Sequence, residues 1–267
     1  MRGLMFKFAA KGLSLLVLSL SNFHYWSWTG YLDIVSRYAR TKLGPWWGVI
    51  NASIFIFLIT MLWSSILNVQ IVDYLIYLSV GYIVWLWIST QIIESSQGYV
   101  PYLNIVKQTY IPFYSFIFRI SVRNFIVLLH NFLIIIFALI YKGHFDFYFG
   151  LISFFGLCLV FLNIFFLMTI VSLLSSRFSD VGAATGTFVQ LAFFFTPVIW
   201  LKEAFKGKTF FIELNPFYNW IEIVRSPLLG EVPTLYSYSF ATFSFIFLMF
   251  ISFVLYGKYE KRIVFWI

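Results

Sequence analysis

Carboxylates beside apolar segments are the residues of this chain whose type could support catalysis or ion transport. Asp73, Glu94 and Asp180 are such residues, and each stands near the end of an apolar run. Ionisable residues deep in a membrane span often mark proton or ion paths, and their scarcity here argues against a proton- or sodium-coupled carrier. Glu94 is the best exception, although its position also fits an ordinary residue at the edge of a span.

Histidine, cysteine and glycine offer no further chemistry at a recognisable spacing. The 3 His are far apart, with no Cys or His at ligand spacing, and Cys158 lies in an apolar run as a small hydrophobe. Gly207-Lys208-Thr209 resembles the end of a phosphate-binding loop, but Lys202 stands where the pattern needs its first glycine. We therefore expect no catalytic residue, metal or cofactor in this chain, and any energy from ATP would have to come from a partner.

The composition is that of a membrane protein. Of the 267 residues, 61% are hydrophobic and 10% are charged, whereas soluble domains are about 25% charged. The apolar runs reach the roughly 20 residues that a helix needs to cross hydrocarbon. The net charge of +8 is spread over segments that flank these runs, so it indicates no nucleic-acid partner.

Length and polarity predict an all-α polytopic fold with six transmembrane helices. These are about 47–67, 74–96, 122–141, 147–174, 183–201 and 236–256. Gly98, Pro101 and Pro112 interrupt the segment before the third span. We divide the chain into a cytoplasmic or interfacial region (1–46), a permease domain (47–256) and a cytoplasmic tail (257–267).

The N-terminal region contains two apolar or amphipathic segments. Residues 1–30 have the basic and hydrophobic parts of a signal peptide without an obvious cleavage site, so we favour an uncleaved interfacial segment. Polar residues at steps of three and four predict an amphipathic helix over 31–42, which Gly44-Pro45 separates from the first span. The basic residues of this amphipathic helix are Arg37, Arg40 and Lys42. They could contact phospholipid, a pyrophosphate head group or a partner subunit.

The distribution of Lys and Arg predicts that both termini are cytoplasmic. Thirteen of the 18 basic residues then lie in 1–46, 98–123, 175–182 and the tail, as the positive-inside rule requires. Four basic residues between 202 and 235 oppose this orientation. That outer segment is apolar but broken by Pro216 and Pro227, which favours a re-entrant or interfacial helical hairpin. Glu222 and Arg225, three apart, can pair on it.

Four segments, in this order, resemble the permease subunits of ABC-type polysaccharide exporters, which move O-antigen, capsule and teichoic-acid chains. They are SRYARTKLGPWWGVI (36–50), LNIVKQTYIPFYSFI (103–117), SSRFSDVGAATGTFVQLAFFFTPVIW (175–200) and LNPFYNWIEIVRSPLLG (214–230). Each motif alone is loose, and it is their order along nearly the whole chain that is specific. The resemblance implies that the chain is no enzyme itself. It would form a pore as a homodimer in a bacterial inner membrane, with two copies of an ABC ATPase, the partner subunit that would bind ATP and Mg. The complex would export an undecaprenyl-pyrophosphate-linked polysaccharide such as O-antigen.

The resemblance also implies roles for particular residues. Segment 98–113 would be the coupling helix that sits in a cleft of the ATPase, and the 175–182 turn would make a second contact with it. The residues that couple to the ATPase would be Lys107, Tyr110 and Pro112 in the first segment, and Arg177 and Asp180 in the second. The outer hairpin would cap the exit, with Asn215, Pro216, Glu222 and Arg225. Membrane lipid would contact the helix over 31–42.

Aromatic residues provide a physical argument beside the resemblance. The chain has 35 Phe, and aromatic rings can stack on the apolar faces of sugars without holding one sugar tightly. A substrate path along the first and fifth spans would use Phe55, Trp63, Phe193, Phe194 and Phe195, although such residues also pack or face lipid in many membrane proteins. The alternatives are an exporter of the same fold for capsule, teichoic acid, a drug or a lipid, and a membrane-embedded glycosyl- or acyltransferase, which would need a polar catalytic cluster.

Overall fold

The computed structural model describes residues 2–143, 146–202 and 210–267. The predictions for Lys206, Lys208 and residues 207–209 lie outside these ranges. Every regular element within them is helical: α1 (Arg2–Ser21), α2 (Phe23–Tyr38), α3 (Trp46–Leu67), α4 (Ile71–Ser95), a 3-10 turn (Val100–Tyr102), α5 (Leu103–Gln108), α6 (Tyr114–Lys142), α7 (Phe147–Arg177), α8 (Ser179–Phe195), α9 (Phe210–Glu213), α10 (Pro216–Leu229) and α11 (Leu235–Ile263).

Six of the described helices, α1, α3, α4, α6, α7 and α11, are long and apolar enough to cross a membrane. The chain is therefore a polytopic α-helical membrane protein. Five of the six correspond to predicted spans, and the sixth is α1, whose segment Leu4–Ser21 has the length and hydropathy of a span. The sequence instead predicted an interfacial segment there.

The predicted fifth span, 183–201, differs from the structure. Helix α8 begins at Ser179 and ends at Phe195 after 17 residues, and residues 196–201 are not helical. The reason is Pro197, because proline lacks an N–H and disfavours helical geometry at the residue before it. The proposed continuous span is therefore wrong, and a short helix followed by an irregular segment takes its place.

Two other boundaries were misplaced. The third span begins at Tyr114 rather than near 122, because ion pairs allow Arg119 and Arg123 to lie inside α6. The predicted amphipathic helix over 31–42 is the second half of α2, which starts at Phe23 and ends at Tyr38. Arg40 and Lys42 therefore lie exposed in the turn that precedes α3.

Helix α4 lies at the centre of the bundle and contacts α3, α6, α7, α8 and α10. Its residues Ile76, Leu78 and Val80 are fully buried, which explains why this helix is apolar on nearly every face. Gly81 leaves room beside Val198 and Arg225. The centre of α4 thus positions the irregular segment that follows α8.

Glycines allow α1 to pack backbone to backbone against α11. A Cβ atom at Gly12 would overlap the Phe253 carbonyl, and one at Gly257 would overlap the Phe8 carbonyl. Small residues at such crossings permit the close helix approach that stabilises membrane bundles through van der Waals contact. The N-terminal helix is therefore part of the packed structure in this conformation.

Helix α10 is defined by strong local signals at both ends. The Asn215 side chain accepts hydrogen bonds from the backbone N–H groups of Phe217 and Tyr218, and Pro216 occupies the first turn. Gly230 follows the helix with a φ of 92°, the left-handed conformation that favours glycine at a C-terminus. These signals fix the start and end of the predicted outer helix.

Candidate functional site: a charged end, an aromatic groove and a braced helix break

An arginine–carboxylate network joins α2, α4 and α6 near one end of the bundle. Arg119 donates two hydrogen bonds to Asp33, at 2.8 and 2.6 Å, and Arg123 bridges Asp33 (3.2 Å) and Glu94 (2.6 Å). Arg37 completes the network at 2.7 Å from Glu94. Bidentate pairing of this kind fixes orientation as well as charge, so the network holds α2 against the two spans.

This network changes the interpretation of two residues. Arg37, predicted to contact lipid, a pyrophosphate or a partner, is paired with Glu94 of its own chain. Glu94 lies at the end of α4 and is mostly buried, where Arg37, Arg123 and Asn124 all bond its carboxylate. The positive-inside argument treats Arg119 and Arg123 only as basic residues of the 98–123 segment. Their spacing of four, which places both on one helix face, was the signal that could have revealed the network.

The predicted coupling segment lies at the same end of the bundle. The Tyr110 hydroxyl donates a hydrogen bond to Glu260 (2.6 Å), and Lys11 pairs with the same carboxylate at 2.7 Å. Burial and the neighbouring Glu260 carboxylate raise the pKa of Tyr110 to about 12. Pro112 is buried and Lys107 is exposed on α5. Segment 98–113 is therefore anchored to α11, which Lys11 joins in turn to α1, while Lys107 remains exposed.

The α7–α8 junction adjoins this segment. The Tyr99 N–H donates to the Ser176 hydroxyl (3.0 Å), and a Cβ at Gly98 would lie 2.7 Å from that oxygen. Arg177 lies over the rings of Phe178 and Trp266, at 5.1 and 5.2 Å. Asp180 is exposed in the first turn of α8. The structure thus brings all five predicted coupling residues to one end of the bundle.

Three of the described helices, α3, α4 and α8, form an aromatic groove of about 270 Å³. Phe55 stacks on Tyr82 with ring centroids 4.2 Å apart, and Phe193 lies 6.4 Å from Tyr82 and 5.6 Å from Trp85. Of the predicted path residues, Phe55 and Phe193 line this groove. Tyr82 and Trp85 were not predicted, because the sequence does not reveal which face of α4 meets α8.

The remaining predicted path residues lie outside the groove. Trp63 is half-buried towards the other end of α3. Phe194 and Phe195 are 64% and 74% exposed on the surface of α8. The structure therefore divides the predicted path residues: Phe55 and Phe193 line the groove, whereas Phe194 and Phe195 form an open aromatic surface on α8.

Two tyrosines of α4 and a tryptophan of the segment itself form hydrogen bonds that brace the non-helical segment after α8. Tyr74 donates to the Ile199 carbonyl (2.6 Å), Tyr77 donates to those of Pro197 and Trp200 (3.1 and 3.0 Å), and the Trp200 indole donates to that of Phe194 (3.1 Å). Irregular backbone at membrane depth is tolerated where protein groups satisfy it. These bonds therefore stabilise the helix break.

Arg225 of α10 completes the brace. Only 2% of its side chain is exposed; it donates to the Pro197 carbonyl (2.8 Å) and pairs with Glu222 at 2.7 Å, which confirms the pairing inferred from their spacing. The guanidinium lies 4.0 Å from the Tyr77 ring centroid. Burial raises the pKa of Glu222, but Arg225 and the Ser226 hydroxyl outweigh burial and hold that pKa below its usual range.

The predicted hairpin residues therefore divide between two tasks. Asn215 caps α10 and also donates to the Thr196 hydroxyl (2.9 Å), so it links the helix start to the break after α8. Glu222 and Arg225 hold the break itself.

Comparison of the chain with protein-family models and with curated proteins gives no match. Among the residues that the structure describes, no three His, Cys, Asp or Glu side chains are grouped to hold a metal ion.

Proposed function

We propose that this chain is the membrane subunit of an ATP-driven exporter for a lipid-linked polysaccharide, such as an undecaprenyl-pyrophosphate-linked O-antigen. The observation that carries the proposal is the convergence of the two family-like segments, 98–113 and 175–182, at one basic end of the bundle, where the Tyr99 N–H donates to the Ser176 hydroxyl. A docking surface for an ATPase requires such a contiguous face. The other two motifs supply the proposed interface helix and exit helix.

The proposed mechanism follows from this arrangement. Two chains form a pore, and two ATPase subunits bind segment 98–113 and the 175–182 turn on the cytoplasmic side. ATP-dependent movement of these contacts passes to α2 through the network and to α8 through the junction at Arg177. The sugar chain passes along the aromatic surfaces of α3 and α8, and α10 lies at the exit. Transport of capsule, teichoic acid, a drug or another lipid by the same architecture is the alternative.

Reconstitution tests the proposal directly. We expect that this chain, co-expressed with the ATPase encoded beside it, forms a stable complex whose ATP hydrolysis moves a lipid-linked polysaccharide across proteoliposomes. Failure of the two proteins to associate would refute the proposal. Transfer of a sugar or acyl group by the chain alone would instead identify a membrane-embedded transferase.

Charge reversal at Lys107 is expected to weaken assembly with the ATPase. Lys107 is exposed on the anchored coupling segment, so Lys107→Glu should change the contact without unfolding the chain. We expect about a tenfold loss of co-purified ATPase, which corresponds to roughly 1.4 kcal/mol. The measurement is the ATPase recovered per permease.

The control for this variant is Lys258→Glu, because Lys258 is also exposed at the basic end but lies on α11. We expect this control to retain ATPase recovery. Equal recovery with Lys107→Glu and the wild type would remove segment 98–113 from the proposed interface.

Truncation of Phe194 is expected to slow export while the protein level stays unchanged. Its ring is 64% exposed on α8, and loss of one stacking contact worth about 1 kcal/mol slows transport roughly fivefold. Phe137→Ala is the matched control, since Phe137 is 69% exposed on α6. Equal export rates for the two variants would exclude Phe194 from the path.

A further inference from the structure

A basic pocket lies between α1, segment 98–113 and the end of α11. Its volume is about 540 Å³, which is within the roughly 300–1,000 Å³ of pockets that hold small organic ligands. The charged residues of its lining are Lys11, Lys107, Glu260 and Lys261. Three lysines against one glutamate give the basic pocket an excess of positive charge.

The carboxylate in the basic pocket is already engaged by the protein. One oxygen of Glu260 pairs with Lys11 at 2.7 Å, and the other accepts a hydrogen bond from the Tyr110 hydroxyl at 2.6 Å. Lys107 and Lys261 are exposed, and in the described part of the chain neither forms an ion pair. Each ammonium carries three N–H donors. An anion that enters the pocket therefore meets two cations that have no carboxylate partner.

Much of the remaining lining of the basic pocket is apolar. These residues are Leu15, Val106, Ile111, Phe113 and Val264. Burial of apolar surface from water is favourable, whereas a small hydrated anion gains nothing from such walls. The combination of free ammonium groups and apolar walls matches an amphiphile with an anionic head.

An exposed apolar strip continues from the pocket along α1. Val17 and Leu18 follow the pocket residue Ser14 by three and four positions, so all three share one face of the helix. Both apolar side chains are exposed. The strip offers a surface for an acyl chain whose head occupies the pocket.

The basic pocket also lies at the depth where lipid headgroups are found. Lys261 is in the last turn of α11, a helix long and apolar enough to cross a membrane. Basic residues at the ends of such helices reach the interface between hydrocarbon and water. The phosphate groups of the surrounding bilayer are therefore close to this pocket.

We propose that the basic pocket binds the headgroup of an anionic phospholipid such as phosphatidylglycerol, with an acyl chain along the exposed face of α1. Basic pockets between membrane helices are a recurrent form of headgroup site. Free phosphate would leave the apolar walls uncovered, and a zwitterionic headgroup would bring its own cation beside the two lysines. The lipid would bridge α1, segment 98–113 and α11, and its binding does not depend on the proposed function.

Native mass spectrometry of the purified full chain tests the proposal. Phosphatidylglycerol and phosphatidylcholine with the same acyl chains are offered in equal amounts, and the retained lipid is identified by its mass after release. We expect one phosphatidylglycerol per chain, preferred about tenfold or more over phosphatidylcholine, since each lysine near anionic lipid contributes about a fivefold gain.

Two double variants with the same loss of charge separate the pocket from general surface attraction. Lys107→Gln with Lys261→Gln removes both free cations of the pocket and should abolish the preference. Lys258→Gln with Arg262→Gln removes two exposed cations of α11 that do not line the pocket, and should leave the preference within about twofold of the wild type. Equal losses in the two variants would overturn the proposal.

A second pair of variants fills the pocket without changing its charge. Ser14 and Ser21 are both exposed on α1, and each donates to the carbonyl three residues earlier, at 2.7 Å. Only Ser14 lines the pocket, so Ser14→Trp should abolish retention of the lipid and Ser21→Trp should not.

Three further results would contradict the assignment. Retention of the lipid by Ser14→Trp would place it elsewhere, and its displacement by millimolar inorganic phosphate would reduce the site to one for a free anion. Stronger retention of undecaprenyl phosphate than of phosphatidylglycerol would make the occupant a polyprenyl carrier. Because lipid retention is measured on the chain alone, failure of ATP-driven export would leave this result unchanged.

Discussion

Replacement of Arg225 by Met is expected to lower the free energy of unfolding by about 3–5 kcal/mol, since removing one partner of a buried ion pair leaves the other charge uncompensated. Arg225 is 2% exposed and bonds both Glu222 and the Pro197 carbonyl. The variant would therefore leave a buried carboxylate without its charged partner and remove one of the two side-chain donors to the Pro197 carbonyl. Unfolding by SDS titration in mixed micelles measures the change.

A double variant separates the loss of the Glu222–Arg225 ion pair from the loss of the hydrogen bond that Arg225 donates to Pro197. Glu222→Gln combined with Arg225→Met removes both charges and should recover part of the lost stability, because a neutral pair is far less costly to bury. The Pro197 carbonyl still lacks one of its two side-chain donors in this variant, so recovery should be incomplete. Full recovery would show that Arg225 contributes nothing to holding residues 196–200.

The pH dependence of the single variant follows from the lowered pKa of Glu222. A carboxylate with a depressed folded-state pKa contributes stability above its unfolded-state pKa and loses it as the pH falls through the folded-state value. In Arg225→Met the unpaired Glu222 can relieve its burial by taking up a proton on acidification. We therefore expect the difference between variant and wild type to narrow as the pH falls towards about 4.

An exposed ion pair on the same chain provides the control for magnitude. Asp73 and Lys142 lie 3.1 Å apart with 53% and 28% of their side chains exposed. Asp73→Asn should cost at most about 1 kcal/mol, since water and salt screen such pairs. A loss in Asp73→Asn as large as that in Arg225→Met would contradict the distinction between the two sites.

Charge reversal at Asp33 is the second large expected effect. Asp33→Arg would place a third positive charge beside Arg119 and Arg123, which both bond the native carboxylate. We expect a loss of stability on the order of 3 kcal/mol, at the lower end of the range for breaking buried pairs because Asp33 is 19% exposed. The measurement is again SDS-induced unfolding, with loss of export activity expected alongside.

The matched test exchanges the two charges. Asp33→Arg with Arg119→Asp restores opposite charges at the α2–α6 contact and should recover at least half of the lost stability. Such recovery, measured as a double-mutant cycle, isolates the pairwise interaction from other effects of each substitution. No recovery would mean that the pair does not hold α2 in place.

Local patterns predicted much of the fold. Apolar runs long enough to span hydrocarbon identified α3, α4, α7 and α11 within a few residues at most ends, because the bilayer imposes both length and helical hydrogen bonding. Errors arose where distant partners change local energetics. Arg119 and Arg123 made the start of α6 look like a loop, yet Asp33 and Glu94 neutralise them.

In the candidate site, too, local spacing predicted contacts within one helix but not contacts between helices. Spacing alone predicted the Glu222–Arg225 pair, since residues three apart share a helix face. It did not reveal that Arg225 bonds the Pro197 carbonyl, or that Gly81 on α4 leaves the room for both. Those contacts depend on which helices are neighbours.

The sequence by itself determined that this is a helical membrane protein with a basic, interrupted segment before α6 and a capped helix before α11. These properties follow from transfer energies, helix periodicity and the backbone limits of proline and glycine, all of which act within a few residues. Only the tertiary structure decided that Glu94 joins Arg37 to Arg123 and that Arg225 donates to the Pro197 carbonyl. The physical reason is that such contacts depend on helix adjacency and rotation, which residue spacing within one helix does not encode.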